Sequence, residues 1–96
     1  MDLTINGKKV ILRDRLPARL GWDVIVTKAG VLQKSWNEID FEDLAALLSV
    51  AVESWEFEGD PGDAASYASL DLLSEFVPLV SSLGEWLNAR FGASKN

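Results

Sequence analysis

Acidic and aromatic side chains alternate in the segment Ser54-Trp55-Glu56-Phe57-Glu58-Gly59-Asp60-Pro61, and Asp63 follows shortly after. Carboxylates at alternate positions are one way to ring a hard cation such as calcium. The segment nevertheless lacks the rest of a calcium-loop pattern, including the bidentate acid that closes such a loop. Glu53, Glu56 and Glu58 are close enough in sequence to suggest a pair of carboxylates for general acid–base work. That chemistry requires a cleft in which one of the two is held protonated near neutral pH. Ser54, Ser74, Ser81 and Ser82 carry hydroxyls, but a hydroxyl nucleophile needs an activating base, and the chain contains no histidine. Cysteine is also absent, which removes thiolate chemistry, disulfides and the commonest sulfur ligands for zinc. These residues therefore predict neither catalysis nor a cofactor or metal. The acidic stretch reads as a solvated loop whose aromatics pack inward.

Four tryptophans are the other residues with large binding potential. Trp22, Trp55 and Trp86 fall on apolar stripes and are expected in the core. Trp36 stands between Ser35 and Asn37 in a connection, which makes it a candidate anchor at a partner interface.

The elements that must position these residues begin with a hairpin. Leu3-Thr4-Ile5 and Lys8 to Leu12 flank Asn6-Gly7, a pair suited to the positive φ angles of a type I′ turn. The two-residue period places Leu3 and Ile5 on one face, matched across the turn by Val10 and Leu12. Pro17 introduces a helix expected over 18–29, with Trp22, Ile25, Val26 and Ala29 on one stripe and Gly30 as its stop. Asp40 reads as the N-cap of a second helix running to Trp55, with Glu42 and Asp43 in its first turn. Gly59-Asp60-Pro61-Gly62 breaks the chain there, and Asp63 is placed to cap a short turn through Ser66-Tyr67. A stripe from Leu70 to Phe91 then predicts a final helix. Pro78 must kink it, or restart it with the proline in its first turn. Gly92 is a natural stop, leaving 93–96 as a flexible tail.

The fold class expected is α+β: an N-terminal β-hairpin over 1–14, followed by a three- or four-helix bundle over 17–92, in a single domain. A chain of 96 residues buries about two thirds of its unfolded surface, enough for one core. Residues 1–34 hold seven Lys or Arg against three Asp, and residues 35–96 hold two against twelve Asp or Glu. The formal net charge of −6 argues against general nucleic-acid binding, which rests on neutralising phosphates. The basic half, through Lys8, Lys9, Arg13, Arg15 and Arg19, keeps a small nucleic-acid-binding regulator as one alternative. No signal-peptide pattern opens the chain, and its apolar runs fall short of a membrane span, so a cytoplasmic protein is expected.

Two apolar helices in so small a domain are hard to bury fully, which points to a protein partner or to homo-oligomers. The candidate groove is lined by Phe76, Leu79, Val80, Leu83 and Trp86, with Trp36 at its edge. Trp55 to Pro61, followed by Asp63, Ser66-Tyr67, Leu70-Asp71 and Phe76-Val77-Pro78-Leu79, resembles the small tail assembly chaperones of long-tailed, siphophage-type bacteriophages. The opening Leu3 to Lys8 hairpin and the segment from Pro17 to Trp22 are similar too. The resemblance implies a non-enzymatic helper of tail morphogenesis, working in the bacterial host cytoplasm on a helical tape measure protein or on tail tube subunits. It also implies absence from the finished virion and, in many members, a second, longer form made by frameshifting. A structural tail completion or connector subunit, using the charge asymmetry for head-to-tail rings, is the other alternative.

Overall fold

The structure is a computed structural model. It describes residues 1–28 and 34–89, with the side chains of Asp23, residues 25–28 and Trp36 outside that description. Strands β1 (Asp2–Ile5) and β2 (Lys8–Leu12) form the expected antiparallel hairpin, with Leu3 opposite Val10 and Ile5 opposite Lys8. Asn6 at φ 53° and Gly7 at φ 79° close it, the left-handed pair that an Asn-Gly turn accommodates. Ile5, Val10 and Leu12 are buried beneath the helices, and Leu3 is half-buried.

Helix α1 (Ala18–Lys28) begins directly after Pro17. Among its described side chains, Trp22 departs from the stripe that the sequence spacing suggests. Gly21 is buried, and a Cβ there would stand 2.6 Å from the Leu16 side chain, so the glycine lets Leu16 lie flat against the helix. Val24 packs on the core alongside it. Rotating that side inward turns Trp22 outward, where it is 66 % exposed rather than in the core. The side chains of Ile25 and Val26, and Ala29 and Gly30 altogether, lie outside the described residues.

A 3-10 turn (Trp36–Glu38) leads to helix α2 (Phe41–Ala51), the central element, with Leu44, Ala45, Leu47, Leu48, Val50 and Ala51 buried. Asp40 occupies the N-cap position as expected, although its carboxylate makes no capping hydrogen bond. The helix ends four residues earlier than the sequence pattern suggests. Val52–Trp55 forms a third strand, β3, antiparallel to β2, and the sheet order is β1-β2-β3. The helical body expected over 17–92 is thus interrupted by a strand that completes the N-terminal sheet. The physical reason lies in the open edge of β2, whose N–H and C=O groups need partners beneath a helical layer. Val10 pairs with Trp55, Ile11 with Ser54 and Leu12 with Val52, across an irregularity between Ile11 and Leu12. The ladder continues at both ends: Arg13 N donates to Ala51 O at 2.9 Å, and Glu56 N donates to Lys9 O at 3.0 Å.

The short turn expected after Asp63 is a 3-10 helix (Ala64–Ser69), and the last expected helix divides into two pieces, a π-helical turn (Leu72–Phe76) and α3 (Val77–Leu87). Pro78 sits in the first turn of α3, and the π-helical turn runs directly into that helix, with Phe76 and Val77 both in right-handed helical conformation. Phe91 and Gly92 lie outside the described residues. The core joins all layers: Val10 and Leu12 from the sheet, Leu47 and Leu48 from α2, Tyr67, and Leu79, Leu83 and Trp86 from α3. The molecule is an α+β domain in which a small sheet and a helical layer share that core.

Candidate functional site

The acidic loop is architecture when its atoms are followed one by one. Trp55 Nε1 donates to Gly59 O at 2.9 Å, closing the loop on itself. Gly59 takes φ 89°, a left-handed value suited to glycine. Asp60 accepts from Gly62 N at 2.9 Å, and Asp63 accepts from Ala65 N at 3.1 Å, the short cap expected for the following turn. The Glu56 carboxylate accepts from Lys9 N at 2.6 Å, tying the loop to β2. The Trp55 ring packs edge-on against Phe57 and tilts against Tyr67, with centroids 5.5 and 4.8 Å away. Tyr67 is buried and donates to Pro61 O at 2.7 Å. Burial, and secondarily the charge of Asp60, pushes its phenol pKa well above the ordinary value. Among the described residues no three acidic side chains converge on a point where a cation could sit.

The helix groove expected from the sequence is filled by the protein itself. Leu79, Val80, Leu83 and Trp86 are all buried in the core, where the sheet and α2 cover the face that the spacing identified. They line no surface. Trp86 also spends its indole N–H on Arg13 O at 2.7 Å. The side chain of Trp36 lies outside the described residues.

An open apolar groove does exist, one turn earlier in the chain. Ile39, just before α2, and Phe41 and Leu44 at its start form one wall. Leu72, Leu73 and Phe76 from the π-helical turn, with Val77 at the start of α3, form the other, around a volume of about 320 Å³. Phe76 is the one groove residue that the sequence reading named. It stacks at a tilt on Phe41, with centroids 5.3 Å apart, and forms the groove floor. Leu72 and Leu73 are 63 % and 76 % exposed, and Phe41 is 38 % exposed. Adjacent leucines this open on a folded domain form a patch that neither the sheet nor the other helices cover.

Local chemistry holds the two leucines outward. Asp71 Oδ2 accepts from Ser74 N at 2.9 Å and from Ser74 Oγ at 2.6 Å, while Glu75 Oε1 accepts from Asp71 N at 2.8 Å. This reciprocal cap resembles a capping box. The hydrogen bonds from Ser74 hold the exposed Asp71 carboxyl below its ordinary pKa. Glu75 Oε2 also accepts from Asn6 Nδ2 at 2.7 Å, anchoring the cap to the hairpin turn. Phe76 N donates to Asp71 O at 2.8 Å, the wide i to i−5 bond of a π turn. The wider turn breaks the 3.6-residue period that would have carried Leu72 and Leu73 onto the buried side with Leu79 and Leu83. The available sequence signal was Asp71 as a cap seven residues before Pro78, which marks a turn ahead of the helix that holds the proline in its first turn.

No protein-family model matches the chain, and no curated protein or solved structure is detectably similar to it. Among the described residues no helix is long and apolar enough to cross a membrane.

Proposed function

We propose that this domain is a non-enzymatic binding module that seats a helical segment of a partner protein in the groove between α2 and the π-helical turn. We propose further that it serves as a tail assembly chaperone of the siphophage type, acting on a tape measure protein or on tail tube subunits in the bacterial host cytoplasm. The observation that carries the binding reading is the exposure of Leu72 and Leu73 on the rim of an apolar groove floored by Phe76. An amphipathic helix laid in such a groove buries apolar side chains at i, i+3, i+4 and i+7 against it. The setting in phage tail morphogenesis comes from the resemblance carried by Trp55 to Pro61 and Phe76 to Leu79.

Co-expression with the tape measure protein and tail tube subunit of the same phage tests the proposal. A soluble complex should form and should be lost in Leu73→Asp. Because Leu73 is on the surface, that variant should stay within about 0.5 kcal/mol of the parent in urea unfolding. Recovery of the protein in purified virions would instead favour a structural tail component.

A further inference from the structure

The residues around the groove indicate the chemistry of its occupant. From Ser35 to Ala89 the chain holds twelve Asp or Glu and no Lys or Arg. In sequence, several of these acids adjoin the apolar residues that line the groove. Ile39 lies between Glu38 and Asp40, Phe41 between Asp40 and Glu42, Leu72 after Asp71, and Phe76 after Glu75. Asp71 and Glu75 are engaged in the cap. Glu38, Asp40 and Glu42 are exposed, and among the described residues none of them forms an ion pair. Asp40 is not spent on capping either.

We propose that the groove takes a cationic amphipathic helix: an apolar stripe seated on Phe41, Leu72, Leu73 and Phe76, with Lys or Arg beside the stripe facing Glu38, Asp40 and Glu42. This rests on the helix-binding reading above and adds the charge of the partner. A helix with acidic flanks meets like charge along the α2 wall, and a nucleic acid or an anionic lipid surface is repelled by the same carboxylates. A cationic flank gains attraction that acts over about 10 Å at 0.1 M salt and raises the rate of encounter. The apolar stripe supplies contact once the helix is seated.

Three labelled helical peptides with one shared Leu stripe and Lys, Gln or Glu flanks test this by fluorescence anisotropy on the full chain. At about 50 mM salt the Lys peptide should bind roughly tenfold more tightly than the Gln peptide, and that advantage should fade near 0.5 M salt. The Glu peptide should bind most weakly. A Glu38→Gln/Asp40→Asn/Glu42→Gln variant should bring the Lys peptide down to the Gln peptide's affinity, and Leu73→Asp should weaken both. Circular dichroism melts confirm that each variant is folded. If Lys and Gln peptides bind equally and both need Leu73, the charge inference is overturned while the helix-binding reading stands. If no peptide binds, both fall. A dimer that Leu73→Asp dissociates, and that excludes the peptides, would make a second copy of this chain the occupant and would also overturn the proposal.

Discussion

At the scale of single residues, polar atoms on aromatic side chains decide where loops are pinned. Trp86 is buried, and its indole N–H reaches Arg13 O at 2.7 Å, holding the exit of β2 against α3. Trp86→Phe keeps a ring but removes the donor and leaves part of the pocket unfilled. Urea unfolding should show a loss of about 2–4 kcal/mol, combining an unmade hydrogen bond with a cavity. Tyr67 makes stability depend on alkaline pH. Its pKa is raised in the folded protein by burial, so the native state favours the neutral phenol. The contribution is complete below the unfolded phenol pKa, near 10, and is lost as pH rises from there toward the higher folded value. Unfolding midpoints measured between about pH 8 and pH 11 should fall, and Tyr67→Phe should flatten that decline.

At the scale of elements, the π-helical turn is the piece that makes a surface. Its reciprocal cap links Asp71, Ser74 and Glu75, and Glu75 carries the link on to Asn6 in the hairpin turn. Asp71→Ala should free the Ser74 amide, seen as faster hydrogen exchange there, and should weaken partner binding by loosening Leu72 and Leu73. Acid should act in the same direction. The Asp71 pKa is lowered in the fold by the Ser74 hydrogen bonds, so the cap's contribution is present above the unfolded carboxylate pKa and is lost as pH falls through the lower folded value. Strand β3 is the other element that changes the picture. The apolar run from Phe41 to Trp55 reads as one helix because Val52 and Trp55 continue its spacing. The edge of β2 outcompetes that continuation by offering backbone partners to the β-branched Val52 and its neighbours.

At the scale of the whole molecule, α2 has contacts on several sides, and Leu47 and Leu48 are fully buried between sheet and α3. Leu47→Ala should cost about 2–5 kcal/mol, a large part of the total stability of a domain this size. Calorimetry should register it as a lowered melting temperature, whereas Leu73→Asp should leave that temperature nearly unchanged. The contrast separates residues that hold the fold from residues that face a partner. Charge follows the same division, since Glu38, Asp40 and Glu42 are exposed next in sequence to groove residues while no charged side chain is buried among the described residues.

The class of the fold, the Asn6-Gly7 hairpin, the start of α2 at Asp40, the Asp63 cap and the place of Pro78 in the first turn of α3 were all legible in sequence. Each depends on interactions within a few residues: turn dihedrals, caps and the missing amide of proline. Tertiary structure alone decided three others. Val52–Trp55 became a strand because β2 had an open edge, Trp22 turned outward because Gly21 let Leu16 pack inside, and the stripe of α3 was buried because the sheet and α2 lie over it. The groove moved to Leu72 and Leu73 for the same reason. Periodicity identifies which side chains are apolar on one side of a helix, but only the neighbouring elements determine which of them remain uncovered.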